Sequence, residues 1–176
     1  VTKMVRLQTD MLLHLGARVL IVTSAVGGLR GAVNVGEVAV VDGFVTLYAP
    51  EMPLWAGEFC SPEDTLSPRL REIAHEERGE LVTKTVGHVM VRGPWFEGRK
   101  YDKGLLAETG AGVVGMSMLP EACVAALYNE VGAEVLGLGF VTNDDVATHS
   151  HEQNQACAAL SSAHLGEFLA RIVSRV

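Results

Sequence analysis

The stretch Arg18-Val19-Leu20-Ile21-Val22-Thr23-Ser24-Ala25-Val26-Gly27-Gly28 decides the fold. Its first six residues are a continuous β-rich run, the pattern of a strand buried on both faces, and the glycine pair predicts a tight turn directly after it. Upstream, Met4, Val5, Leu7, Met11, Leu12 and Leu15 recur at spacings of three and four until Gly16, which is a helical period. A helix feeding a strand of this kind opens an α/β protein. Downstream, residues 37–47, 87–92, 113–116 and 135–142 read as further strands, the first of these broken at Asp42-Gly43 and the last carrying glycines that allow close backbone approach. Helices are predicted from Ser67 or Pro68 to Arg78 and over 97–109, 119–131 and 152–173. Residues 48–68 hold four of the six prolines and read as a long loop, of the kind that serves as a lid or binding loop. The alternation predicts a single α/β domain over residues 1–176, with a mixed, largely parallel sheet flanked by helices.

The chain of 176 residues corresponds to about one domain at roughly 150 residues each, with room for a sizeable core. Lys+Arg 14 against Asp+Glu 21 gives a net charge of -7, which opposes non-specific attraction to nucleic acid or an anionic membrane. With 48% apolar and 20% charged residues the composition is globular, which excludes disorder for most of the chain. Cys60, Cys123 and Cys157 are odd in number and far apart, so they predict neither a disulfide framework nor a zinc site and read as the reduced thiols of a cytoplasmic protein. No apolar run approaches the roughly 18 residues needed to span a bilayer. Lys3, Arg6 and Asp10 interrupt the segment where a signal peptide would be apolar, and the first residue is Val1, so the chain is expected to begin partway into a longer one.

Ligands of open α/β sheets lie at the carboxyl ends of the strands. Four clusters stand there: Thr23 to Leu29, Gly93-Pro94-Trp95-Phe96-Glu97, Gly115-Met116-Ser117-Met118-Leu119-Pro120-Glu121, and Thr142-Asn143-Asp144-Asp145. Singly, each has a plain structural explanation. The glycine pair is a turn, Phe96 is core, Glu97 suits a helix N-terminus, Ser117 caps the following helix as readily as it binds a ligand, and Asn143 forms an Asx turn. The order Gly27, Gly28, Gly31 is not a dinucleotide fingerprint. His149 and His151, two residues apart, make no metal site without a third ligand.

Taken together, T-S-A-V-G-G-L, V-R-G-P-W-F-E, V-V-G-M-S-M-L-P-E and T-N-D follow in the order and approximate spacing of T-N-A-A-G-G, G-P-x-F-E, G-M-S-x-x-P-E and T-N in the trimeric purine nucleoside phosphorylases. The chain resembles that family, which also holds methylthioadenosine phosphorylase, from about Val1 to its C-terminus. The resemblance implies phosphorolysis: a purine nucleoside plus inorganic phosphate gives a free base and ribose 1-phosphate, with no organic cofactor and no metal. It implies that Asn143 faces N7 and O6 of a 6-oxopurine, that Glu97 accepts from the ring N1–H, and that Phe96 supplies a face for base or sugar. Val114, Gly115, Met116 and Thr142 would line the pocket, Ser117 and the backbone around Ala25, Val26 and Gly27 would meet phosphate, and His151 would meet the ribose 5′-hydroxyl, with His149 its competitor.

The pattern also departs from the family. An upstream glycine-rich phosphate loop and an R-x-H pair have no counterpart here, and Arg6 matches a later, helical arginine that is structural. The chain is therefore expected to be the C-terminal portion of a phosphorylase, inactive alone, with an exposed sheet edge or apolar face that demands a partner. Asp144 stands where lysine is common. Family trimers place a loop phenylalanine in the neighbour's site, a position for which only Phe59 or Trp55 could stand in; the implied assembly is a homotrimer. The rival reading is a non-catalytic purine-binding or interaction protein that lacks the phosphate-binding segment.

Overall fold

A computed structural model describes residues 2–93, 101–145, 152, 156 and 162–176. The elements are α1 (Thr2–His14), β1 (Val19–Gly28), β2 (Val38–Val45), a 3-10 turn (Pro62–Thr65), α2 (Pro68–Glu76), β3 (Thr83–Met90), α3 (Asp102–Glu108), β4 (Val113–Gly115), α4 (Leu119–Ala126), a second 3-10 turn (Asn129–Val131), β5 (Glu134–Asp144) and α5 (Ser162–Val173). The sheet is mixed and flanked by helices. It is not open, however: the strands follow the closed order β1-β4-β3-β2-β5. β1–β5, β2–β3 and β3–β4 pair in parallel, while β1–β4 and β2–β5 pair antiparallel. The closing seam is short: β4 pairs with β1 only at Gly27 and Gly28 and with β3 only at His88, Val89 and Met90, so residues 19–26 of β1 and 83–87 of β3 have a ladder partner on one side only.

Closure explains the sequence of β5. Leu136, Leu138 and Phe140 face outward against Leu70, Ile73 and Ala74 of α2 and Phe168 and Ile172 of α5. Val135 and Val141 face inward with Val26, Ala39, Val41 and Val113. Period-two alternation with both faces buried produces the unbroken apolar run. The interior of so small a barrel is narrow, and a Cβ on Gly139 would stand 2.8 Å from the Val26 side chain. The glycines of this strand therefore make room for side chains, where the sequence suggested room for backbone.

The other differences are local. Gly27 and Gly28 do not turn the chain; β1 runs through them, and its pairing with β5 shifts between Val26 and Gly27. The Asp42-Gly43 break is likewise a shift within β2, between Val41 and Gly43. β3 starts at Thr83 rather than 87 because its first residues extend the β2 ladder. The helix expected over 119–131 ends at Ala126, and the rest is a 3-10 turn closed by Gly132 at φ 75. α2 begins where Ser67 accepts the Leu70 N–H at 3.2 Å and Pro68 takes the first turn.

α1 forms as its periodicity predicts but buries another face. Arg6, Thr9 and Leu13 point inward, whereas Met4, Leu7, Met11, Leu12 and Leu15 are exposed. Burial of Arg6 is possible because its guanidinium is fully partnered. It forms a bidentate pair with Glu58 at 2.7 and 2.9 Å, bonds Asp10 at 2.5 Å and the Pro53 carbonyl at 3.1 Å, and lies 4.4 Å from the Trp55 ring centroid. The expected apolar face is thus present on α1, and Arg6 is a structural residue.

Candidate active site

β1, β4 and β5 converge at Gly27. It pairs with Val114 across the antiparallel ladder and with Asn143 across the parallel one. A Cβ there would lie 3.1 Å from Asn143 Nδ2 and 3.3 Å from the Val114 side chain, so the glycine lets both approach the β1 backbone. The Thr142 hydroxyl donates to Asn143 Oδ1 at 3.0 Å, which fixes the direction of the amide. A narrow cleft at this point is lined by Gly27, Gly28, Lys103, Val114, Asn143 and Asp144. Lys103, on α3 and only 9% exposed, is a cleft residue with no signal in the sequence beyond a helical position.

Three residues back along β1, roughly 10 Å at strand rise, lies a second polar group. Ser117 donates its hydroxyl to Ser24 Oγ at 2.7 Å, and Ser24 donates to the Ala25 carbonyl at 3.0 Å. Met118, the next residue, adopts φ 78, a conformation unusual for a side-chain-bearing residue, and its buried side chain fills the barrel interior. That turn swings Ser117 to the rim while starting α4. Ser117 makes no cap bond to the helix, since the N-cap position is Met118. Met116 and Ala25 are exposed beside the pair.

Not every candidate offers a side chain. Val26 is 2% exposed and points into the barrel, where it contacts the Gly115 and Gly139 positions, so only its backbone is available to a ligand. Arg30, at φ 53, donates its N–H to Asp145 Oδ2 at 3.0 Å and its guanidinium to the Ala107 carbonyl at 3.2 Å, tying the end of β5 to β1 and α3. Phe96, Glu97, His149 and His151 lie outside the described residues. Among the described residues no group of three or more His, Cys, Asp or Glu side chains is placed to hold a metal, and no helix is long and apolar enough to cross a membrane.

His88 escaped sequence analysis. It sits fully buried on β3, edge-on to Phe44 at 5.7 Å, and neither ring nitrogen has a hydrogen-bond partner among the described residues. Burial disfavours its charged form and lowers its pKa to about 4.

A mixed barrel with polar groups gathered along β1, β4 and β5 defines a phosphorylase-type fold. The family model described as the phosphorylase superfamily matches residues 2–174, and the chain belongs to that family. Purine nucleoside phosphorylase of Mycobacterium tuberculosis is 34% identical over 164 residues, covering 91% of this chain and 59% of that one. The Bos taurus enzyme is 28% identical over 183 residues, covering 92% and 61%. The chain thus spans about three-fifths of these relatives. In fold it is similar to the Schistosoma mansoni purine nucleoside phosphorylase in complex with inosine, with a TM-score of 0.82 at 22% identity, covering 97% of this chain and 66% of that one.

Proposed function

We propose that this chain supplies the base half and much of the ribose half of a purine nucleoside phosphorylase site, and that the whole protein converts a purine nucleoside and inorganic phosphate to free base and ribose 1-phosphate. The observation that carries this reading is the pair of polar groups set beside β1: an oriented amide at Asn143 of β5 next to Gly27, and two hydroxyls, Ser24 and Ser117, roughly 10 Å away. That separation suits a base at one end and a phosphorylated pentose at the other.

Breaking the bond between C1′ and the base nitrogen leaves positive charge on the ribose and negative charge on the purine. In this reading Asn143 donates to O6 and accepts at N7–H of a departing 6-oxopurine, Glu97 takes the N1–H, and His151 holds the 5′-hydroxyl. Donors aimed at developing leaving-group charge contribute the most to such catalysis. Ser117 and the backbone at Ala25 hold phosphate, and no organic cofactor or metal takes part. The protein works in the cytoplasm as a homotrimer, with Phe59, 94% exposed, entering the neighbouring site. This chain by itself is inactive, because the remaining phosphate ligands lie elsewhere in the whole protein.

The test is calorimetric titration of hypoxanthine or guanine into wild-type and Asn143→Ala protein, alongside inosine phosphorolysis by this chain and by the full-length protein. Loss of one oriented hydrogen-bonding amide should weaken base binding by about 5- to 150-fold. Equal affinity in the two proteins would refute the base site. Base binding without turnover by the full-length protein would favour the non-catalytic reading.

A further inference from the structure

We propose that Cys60 and Cys123 are a paired modification site, which a low-molecular-weight disulfide such as oxidised glutathione converts to a reversible protein disulfide clamping the 46–61 loop onto α4. The two residues are distant in sequence, yet both belong to one small apolar cluster with Met90, Leu119, Met52 and Leu54. Cys60 packs against the cluster that contains Cys123, close enough for each thiol to alter the other's proton affinity. Both are free, Cys60 half-buried and Cys123 buried. Cys60 lies in the loop that carries Glu58 and Trp55, the partners of Arg6. Cys123 stands one turn into the helix that begins just after Ser117. A bond between them would join the α1-facing loop to the helix that sets the rim.

The chemistry balances in two exchanges. The more accessible Cys60 thiolate attacks one sulfur of the small disulfide, forming a mixed disulfide and releasing one small thiolate. Cys123 then loses its proton to solvent base and attacks the Cys60 sulfur, forming the protein disulfide and releasing the second small thiolate. Two protein thiols are oxidised and one small disulfide is reduced to two thiols. Burial pushes the Cys60 thiol up and the Cys123 thiol to about 12, so thiolate is scarce near neutrality and the exchange accelerates as pH rises.

The experiment treats the protein with oxidised glutathione at pH 8.5 and maps its peptides without reduction. A Cys157→Ser background removes the third cysteine from competition. The expected product is a Cys60–Cys123 linked peptide pair, two hydrogens lighter than the sum of its parts. It should be accompanied by a rise in Tm of about 5 °C or more that dithiothreitol reverses, since a cross-link between distant residues restricts the unfolded chain. Stable glutathione adducts at Cys60 without the linked pair would overturn the proposal, as would the same rise in Tm in Cys60→Ser. Should Cys60→Ser fold poorly, Cys123→Ala serves the same comparison, and the peptide map of the parent protein decides without either variant.

Discussion

The imidazole of His88 occupies the space that any side chain at position 115 would need: its Nε2 lies 2.7 Å from where a Gly115 Cβ would stand, and Val26 Cγ1 lies 3.2 Å from it. Gly115 belongs to the V-V-G-M-S-M stretch that ends β4 and leads to Ser117. The site's rim and the barrel's packing therefore meet at one glycine.

Gly115→Ala should destabilise the protein by about 1–3 kcal/mol through overpacking, because the contact is with a fully buried ring held between Phe44 and the sheet. His88→Ala opens that space, so the alanine should cost less in the double variant. Urea unfolding of the four proteins gives the coupling directly. Strictly additive effects would show that the His88 contact does not limit position 115.

His88 also predicts an acid-sensitive stability. Its pKa falls from 6.5 in the unfolded chain to about 4 in the folded one, so between these values the unfolded state binds the extra proton. Its contribution to stability is full above pH 6.5 and is lost as pH falls toward 4. The difference amounts to about 3 kcal/mol at most. His75, bonded to Thr83 and Thr85 at 2.7 Å, is lowered in the same direction, first by burial and then by Arg78 and Arg71, and adds to the slope. The depressed carboxylates, including Glu58 at about 2, begin to lose their contribution only as pH falls through the ordinary carboxylate value near 4.5, at the acid end of this window. Thermal midpoints measured from pH 7 to 4.5 should therefore fall for wild type and fall less for His88→Phe. Identical slopes would assign the acid sensitivity to other groups.

The strands were legible because period and residue type act locally: 135–142 reads as a buried strand, and it is, whereas 18–23, which reads as buried on both faces, has only Leu20 buried and Thr23 exposed, since no helix covers its outer face fully. Closure of the sheet was not legible, since it depends on which strands pair, and no single stretch encodes that. The buried face of α1 was not legible for a related reason. Apolar periodicity points to Met4, Leu7, Met11 and Leu15, but Arg6 goes inside because Glu58, 52 residues away, neutralises it. The candidate residues Gly27, Val114, Thr142, Asn143 and Ser117 were visible as strand-end clusters. The Ser24–Ser117 bond, the buried His88 and Lys103 in the cleft were not, because each arises from tertiary contact between ordinary-looking positions.

The remaining prediction concerns base selectivity, and it rests on the pairing rules of the Asn143 amide. That amide is oriented by Thr142, whose hydroxyl donates to Oδ1, leaving Nδ2 beside Gly27. An amide can give a proton to O6 and accept one from N7, whereas a 6-amino group presents a donor where O6 presented an acceptor. A buried donor facing a donor costs on the order of 1–3 kcal/mol, or about 5- to 150-fold in preference for 6-oxo over 6-amino purines. Asn143→Asp keeps an acceptor for Thr142, so the variant should fold, but a carboxylate now accepts from an amino group. The preference should narrow or reverse. Comparing kcat/KM for inosine and adenosine in full-length wild-type and Asn143→Asp protein checks this; an unchanged ratio would mean that Asn143 serves the end of β5 and that the base is read by other residues.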